Sequence, residues 1–344
     1  MVKRINLALQ GGGAHGAFTW GVLDRLLEDD EVEIAAISGS SAGALNGAAL
    51  KAGLLSGGRQ AARDNLDWLW EQVGAVGDLR LANWLSALTP GSGTLARLVE
   101  YSLPYSVTDT ATRVISPYSY GPFYKNPLER VVARLDYDKV CHHAPPAFFV
   151  GATNVRTGKV RIFTRDEITT EAILASACLP ELFQAVEIAD PQTGEIEAYW
   201  DGGYAANPAL FPLLAPELPD DIVIVQINPL ERPAVPVTAQ EIQNRINEIS
   251  FNSALLGELR AMRLIRDLIE SGQLERGKMK KVLVHMIADD AIMRDLSVAT
   301  KMVAGPVILM RLKEAGRAAA ERFLTEAKPA LNVEGTLDLQ RICD

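Results

Sequence analysis

Ile34-Ala35-Ala36-Ile37-Ser38-Gly39-Ser40-Ser41-Ala42-Gly43-Ala44-Leu45-Asn46-Gly47-Ala48-Ala49-Leu50 is the stretch on which the reading of this chain turns. It opens with a short apolar run, Ile34 to Ile37, of the kind that forms a buried strand. The small residues from Ala42 to Leu54 predict a helix able to pack close to a sheet. Between the two stands Gly39-x-Ser41-x-Gly43. A serine on a sharp strand-to-helix turn projects away from the sheet, and glycines two positions to either side relieve the crowding of such a turn. The helix that follows presents a positive dipole end and unpaired N–H groups, that of Ala42 among them, to negative charge developing at the serine. Ser41 is therefore a candidate nucleophile, with Gly39 and Gly43 the glycines of its elbow.

Toward the N-terminus, Ile5 to Leu9 is a second short apolar run, and it ends in Gly11-Gly12-Gly13-Ala14-His15-Gly16. Phe18, Val22, Leu23 and Leu26 then follow a helical spacing within Ala14 to Leu27. The order strand, helix, strand, helix predicts an α/β fold with parallel strands. The glycine loop also satisfies the G-x-G-x-x-G pattern of dinucleotide sites. Such a site wants an acidic residue at the end of the following strand. Glu33 has roughly that spacing, but it precedes the strand, whose far end carries the serine turn instead. Backbone N–H groups on Gly11, Gly12, Gly13 and Gly16, close to a serine at the tip of the neighbouring strand, suit an oxyanion hole better.

Downstream, Gly57 to Val76 predicts a further helix. Residues 79–125 are rich in Pro, Gly, Ser and aromatics, and read equally well as a substrate cap or as a structural excursion pinned by its aromatic rings. A helix start lies at Pro127 to Leu135. Ala147 to Thr153 and Lys159 to Thr164 flank Arg156-Thr157-Gly158 as a hairpin. Glu167 to Ala177 is helical, and Glu195 to Trp200 is a strand running into Asp201-Gly202-Gly203. A carboxylate beside two glycines can approach another loop closely, although alone the triplet reads as an ordinary Asp-Gly turn. Ile222 to Ile227 and Lys281 to Ile287 are strands. Thr238 to Ile269 is a long helix whose Ile242, Ile246, Ile249, Leu256, Leu259, Ile265 and Leu268 predict a core-facing side. A membrane-surface or dimer helix is the lesser alternative. Val307 to Glu326 closes the chain with a charged helix.

Glycine loop, serine elbow and Asp-Gly-Gly occur in the order seen in the patatin-like phospholipase family, which this chain resembles from about Ile5 to Leu213. Ala175-Ser176-Ala177-Cys178-Leu179-Pro180-Glu181-Leu182-Phe183 is similar to that family's segment upstream of its aspartate. The resemblance implies a three-layer α/β/α sandwich on a mostly parallel sheet. It implies Ser41 as nucleophile, Asp201 as its general base, and oxyanion stabilisation by the Gly11 to Gly16 loop, with Gly202 and Gly203 completing the aspartate motif. The activity implied is hydrolysis of acyl esters in phospholipid, lysophospholipid or a smaller ester, with no metal and no cofactor. His15 stands where the family usually carries Arg or Lys. Residues 1–230 are expected to form the catalytic part, and residues 231–344 a helical extension with one strand packed on it.

A histidine base is the alternative to the dyad. The order Ser41, Asp201, His285 fits the α/β-hydrolase triad, but that fold places several strands before its serine, and here only one precedes it. His285 also lies in the apolar run Val282 to Ile287, as a satisfied core histidine would. The remaining histidines are His15, His142 and His143. Other functional classes remain open at this point: a non-catalytic lipid-binding or regulatory protein of the same fold, and a nucleotide-dependent oxidoreductase built on Gly11 to Gly16.

Composition bounds the partners. A net charge of −9 argues against nucleic acid and against strong charge-driven docking on anionic lipid, while leaving transient contact with a membrane surface open. Three cysteines, Cys141, Cys178 and Cys343, show no paired spacing and suggest a reducing compartment, with Cys178 read as a small core residue. No apolar run reaches the length of a membrane span, and no signal segment fits ahead of the glycine loop, so a cytoplasmic location is expected.

Overall fold

The computed structural model describes residues 2–76, 116–275, 279–296, 300–301 and 305–343. Its centre is an eight-stranded sheet. The strands are β1 (Lys3–Leu9), β2 (Val32–Ser40), β3 (Ala147–Asn154), β4 (Val160–Thr164), β5 (Val186–Ala189), β6 (Ile196–Asp201), β7 (Asp221–Val225) and β8 (Leu283–Ile287). They lie in the order β5-β6-β3-β2-β1-β7-β8, with β4 paired to β3 off that path. The pairs β2/β3, β1/β2, β1/β7 and β7/β8 are parallel; β4, β5 and β6 join antiparallel.

Helices cover both faces: α1 (Gly16–Leu26), α2 (Ala42–Val76), α3 (Glu129–Val132), α4 (Tyr137–Val140), α5 (Thr170–Ser176), α6 (Ala239–Glu270), α7 (Asp290–Asp295), α8 (Pro306–Glu326) and α9 (Leu339–Cys343). Side chains alternate across a strand, so a central strand must be apolar on both sides. Ile5, Leu7 and Leu9 of β1 and Val223 and Val225 of β7 pack in one core with α1, α2 and α8. Ala8, Ile222 and Ile224 point the other way, into a second core with Leu255, Leu259 and Met262 of α6. This is the expected three-layer sandwich.

The two helices expected over 42–76 form one run broken at Gly57 and Gly58, where the backbone leaves helical angles. The strand β5 is not among the strands expected from the sequence, because four residues are too few for its alternation to stand out. The helix expected over 238–269 is α6, started by a capping box between Thr238 and Glu241. Its expected inner face holds at Leu259, which is fully buried, but is corrected over the first turns. Ile242, Ile246 and Ile249 are exposed, while Asn244, Glu248 and Asn252 are buried on the opposite side. Those polar residues have partners inside: Glu248 takes Arg232 and Arg245, and Asn252 donates to the carbonyls of Asn228 and Pro229.

Residues beyond 230 share the sheet and the core. β8 extends the sheet beside β7, and α8 lies on α1 at near-contact distance. A Cβ on Gly21 of α1 would stand 1.9 Å from the Lys313 carbonyl oxygen, and one on Gly316 of α8 would stand 2.0 Å from that of Phe18. Of the aromatic-rich stretch, residues 79–115 lie outside the described residues. Its end, Pro117–Phe123, is a 3-10 turn tied down by Gln184 Nε2 to the Pro117 carbonyl and by the Ala185 N–H to the Tyr118 hydroxyl.

Neither helix can yield backbone at the α1/α8 crossing. Gly21→Ala is expected to lower stability by about 1–3 kcal/mol, the usual cost of overpacking a filled interior. A shifted urea midpoint at unchanged m-value would register it.

Candidate active site

Ser41 follows directly on β2 and precedes α2. It is one of the non-glycine residues with positive φ, at 55°. That left-handed conformation costs an L-residue roughly 1–2 kcal/mol and persists only where the surroundings enforce it. The surroundings here do. Its N–H donates to Ser176 Oγ at 2.9 Å, and Ser176 Oγ donates to the Gly151 carbonyl at 2.6 Å. Its carbonyl takes the N–H groups of Ala44 and Leu45, the first turn of α2. A Cβ on Gly39 would meet the Gly43 carbonyl carbon at 2.6 Å, and one on Gly43 would meet the Leu9 carbonyl at 2.1 Å. Both elbow glycines are thus required by close approach.

The sheet delivers Asp201 to the same point. β2 runs along one edge of β3 and stops with Ser40 opposite Gly151. β4 occupies the other edge from Phe149 to Thr153. β6, arriving reversed, takes the first edge where β2 has left it, and ends with Asp201 opposite Ala152. The two strand ends therefore meet nearly head to head. Gly202 permits this, since a Cβ there would stand 2.1 Å from the Gly151 carbonyl and 2.9 Å from Ser40 Oγ. The main chain of Asp201 is bound at both ends, its N–H to the Cys178 carbonyl and its carbonyl to Thr153 Oγ1.

The Asp201 side chain is fully buried. Oδ1 accepts the Gly203 N–H at 2.7 Å. Oδ2 is buried without a hydrogen-bond partner, although the Ser41 hydroxyl is near enough to lower the carboxyl's pKa. Burial pushes the carboxyl up to about 7, against the pull of the Gly203 N–H and the Ser41 hydroxyl and with a small push from Glu181. Cys178, behind it, is a buried thiol raised to about 12 by burial and by Asp201, and its Sγ donates to the Gln184 carbonyl. It is a core residue.

The glycine loop abuts the elbow. A Cβ on Gly11 would stand 2.5 Å from that of Ser41, and one on Gly16 would stand 2.5 Å from that of Ala42. Not all its amides are free. The Gly11 N–H, expected as an oxyanion donor, donates to Asn207 Oδ1 at 2.6 Å. The Gly16 N–H turns back onto the Gly13 and Ala14 carbonyls. Among the described residues, the N–H groups of Gly12, Gly13 and Ala42 carry no hydrogen bond. Of the amides expected as oxyanion donors, those of Gly11 and Gly16 are thus already engaged. A network of buried amides holds the loop in place. Asn207 Nδ2 and Asn228 Nδ2 donate to the Gly11 carbonyl. Gln10 Oε1 accepts the N–H groups of Ile227 and Asn228, and Gln10 Nε2 reaches Asn252 Oδ1 at 3.1 Å. No motif in the sequence signals Asn207, Asn228 or Asn252 for these tasks, and Ser176 stands out only as part of the segment similar to the family's.

The histidines stand elsewhere. His285 lies in β8 with both ring nitrogens engaged, Nε2 with Asp221 Oδ1 at 3.0 Å and Nδ1 with Thr336 Oγ1 at 2.9 Å. His15 is buried behind the loop, its Nε2 2.8 Å from Thr300 Oγ1. Burial, then Lys301 and Arg232, hold its pKa well below the ordinary value, so its ring is neutral. No group of three or more metal-ligating side chains occurs among the described residues, and no described helix is long and apolar enough to cross a membrane.

An α/β sandwich that holds a serine on a strained elbow at the tip of a parallel strand, against a glycine loop, defines a class of hydrolase-like folds. Within that class the chain belongs to the patatin-like phospholipase family, whose family model matches residues 7–214. It is thereby a member of a family of lipid acyl hydrolases. No curated protein matches it. Among solved structures it is similar to VipD from Legionella pneumophila, at 13% identity and a TM-score of 0.36, covering 92% of this chain and 67% of that one. It is also similar to a chain of the heterodimeric ExoU–SpcU complex of the Pseudomonas aeruginosa type III secretion system, at 18% identity and a TM-score of 0.30. That match covers 96% of this chain but 61% of the other.

The buried carboxyl has a consequence for stability. A folded-state pKa of about 7 lies above the usual 3.8, so the fold favours the protonated acid. Stability is lost as pH rises from about 4 through 7. Asp201→Asn keeps the acceptor for Gly203 and cannot ionise. It is expected to melt higher than the parent at pH 8, with the difference vanishing near pH 4, as calorimetry across that range would register.

Proposed function

We propose that the protein hydrolyses carboxylic esters of lipid-like substrates through an acyl-enzyme on Ser41, with Asp201 as general base. The observation that carries this reading is the buried Asp201 carboxyl, raised to about 7, beside the hydroxyl of a strained serine, while His285 is committed to Asp221 and Thr336.

Asp201 takes the Ser41 hydroxyl proton as Oγ adds to the ester carbonyl carbon. The carbonyl oxygen becomes an oxyanion, met by the free N–H groups of Ala42, Gly12 and Gly13 and by the positive end of α2. An ordinary aspartate is too weak a base for a serine hydroxyl, and a desolvated one near 7 narrows that gap. Collapse of the adduct breaks the C–O bond to the alcohol, which leaves with the proton held by Asp201. Water then attacks the acyl-Ser41 carbonyl and gives a proton to Asp201. The second adduct expels Ser41 Oγ, which recovers that proton, and the free acid departs. Family membership supports lipid as the substrate class. Residues 1–230 would carry this chemistry, braced by the rest of the chain.

Ser41→Ala and Asp201→Asn are each expected to abolish turnover of p-nitrophenyl and phospholipid esters, and Ser41→Ala also abolishes fluorophosphonate labelling. His285→Gln keeps turnover per labelled site within about threefold, since it removes no reacting group. A folded His285→Gln protein as inactive as Ser41→Ala would replace the dyad with a triad. Because the deprotonated carboxylate is the base, kcat/KM should climb with pH through about 7. A profile already flat from pH 5 would contradict Asp201 as the base.

A further inference from the structure

One half-buried ionisable residue lies against the glycine loop and has no part in the proton transfers above. Lys301 Nζ donates to Asn228 Oδ1 at 2.8 Å. The Nδ2 of the same amide donates to the Gly11 carbonyl at 2.8 Å and to Gln10 Oε1 at 3.2 Å. A Cβ on Gly12 would stand 3.5 Å from Asn228 Oδ1, so the loop main chain rests directly on this amide. The main chain of Lys301 touches the next residue as well. A Cβ on Gly13 would be 2.4 Å from the Lys301 carbonyl oxygen, and φ at Gly13 is +58°. The neighbouring Thr300 meets His15. Two consecutive residues from the far end of the chain thus grip the loop at Gly11, through Asn228, at Gly13 and at His15.

An ammonium partly withdrawn from water is costly unless its surroundings use the charge. The charged groups facing it are Glu248 from α6, which favours the cation, and Arg232 from the segment after β7, which opposes it. Glu248 is itself bound by Arg232 and Arg245. Burial holds the lysine down to about 8. With His15 neutral, Lys301 and, after it, Arg232 bring positive charge to the back of this loop, and of the two Lys301 is the one bonded to Asn228. A charged donor on Asn228 Oδ1 polarises the amide and strengthens the bond from its Nδ2 to Gly11. It also places positive potential behind the two glycines whose amides are free.

We propose that Lys301 is a positioning residue of the oxyanion site, its ammonium acting through Asn228 to clamp the Gly11–Gly13 loop and to favour negative charge developing in front of it. This rests on the reading of Ser41 as nucleophile. Its chemistry is that of a preorganised cation, present before the substrate arrives and needed most when the carbonyl oxygen becomes anionic.

The test is the pH dependence of kcat in the full-length protein with a p-nitrophenyl ester, corrected for uncatalysed hydrolysis. Lys301 is charged below about pH 8 and neutral above it. In the parent protein kcat should therefore fall about tenfold on the alkaline side, less than the ~10²–10³ that follows loss of a direct oxyanion donor. Lys301→Gln keeps a donor for Asn228 without charge. It should lower kcat about tenfold at pH 7.5, leave KM within about twofold, and remove the alkaline fall. Lys301→Arg should restore kcat and hold it level to pH 9.5. A folded glutamine variant matching the parent protein would show a merely structural bond and overturn the proposal, as would an arginine variant as slow as the glutamine one. If the variants do not fold, the parent profile decides: an alkaline limb flat to pH 9.5 in an active enzyme overturns it. A parent protein that turns over no ester would instead overturn the Ser41 reading, and this proposal with it. Turnover lost in Ser41→Ala but unchanged in the lysine variants would sink the lysine role alone.

Discussion

Two strand ends share one edge of β3, and everything at the site follows from that. β2 leaves the edge at Gly151 and β6, running the other way, takes it up at Ala152. A parallel strand followed end to end by an antiparallel one brings a serine from the start of the chain beside a carboxylate from its middle. The arrangement requires almost no side chain between them. Gly202 has the Gly151 carbonyl where its Cβ would be, and a Cβ on Gly151 would itself stand 3.0 Å from Ser40 Oγ. The glycines around the site are a consequence of this crowding. They bring three backbone segments to a distance at which any Cβ would hold them apart.

Crowding also explains how two unfavourable features are sustained together. Ser41 sits in a left-handed conformation and Asp201 is closed off from the protein surface, and each costs stability. Ser176 couples them to the framework, taking the Ser41 N–H and giving its own hydroxyl to Gly151, the very residue against which Gly202 rests. Strain at the elbow cannot relax without breaking a bond to β3, and β3 is also the strand against which β6 sets Asp201. A mobile serine would choose an ordinary conformation and lose its alignment, so the rigidity of the sheet edge is what makes the strained geometry usable.

Legibility in the sequence divided along a physical line. The elbow and the glycine loop were readable because each is a local pattern: a turn that needs glycine at fixed offsets, between a strand and a helix. Asp201 was not readable on such grounds, since Asp-Gly-Gly alone describes a turn; family resemblance singled it out. Ser176, Asn207, Asn228 and Lys301 act across long separations and leave no periodic signal. The first turns of α6 face the other way from the sequence pattern for a related reason, although Leu259 further along is in the core as expected. Periodicity equates apolar with buried, yet α6 buries Glu248 and Asn252 because they have partners within, and leaves Ile242, Ile246 and Ile249 outside. Residues 79–115, whether cap or excursion, lie outside the described residues.

The region matched by the family model ends at residue 214, but the contacts that shape the site do not. Phe251 packs on Gly203 and sets its ring edge-on to Tyr204 at 5.3 Å, bracing the loop that presents Asp201. Asn252, one residue on, joins Gln10 to the carbonyls of Asn228 and Pro229. Lys301 meets the glycine loop from behind. A hydrogen bond of this buried kind is worth only about 1 kcal/mol when made, yet leaving its partner unmatched costs about 1–3 kcal/mol, so none of these amides can be altered singly without disturbing the rest. The last third of the chain is therefore part of the wall of the site. The glycine loop holds its shape because residues on α6 and at Lys301 occupy the space behind it, which ties the geometry facing the serine to the packing of the whole sandwich.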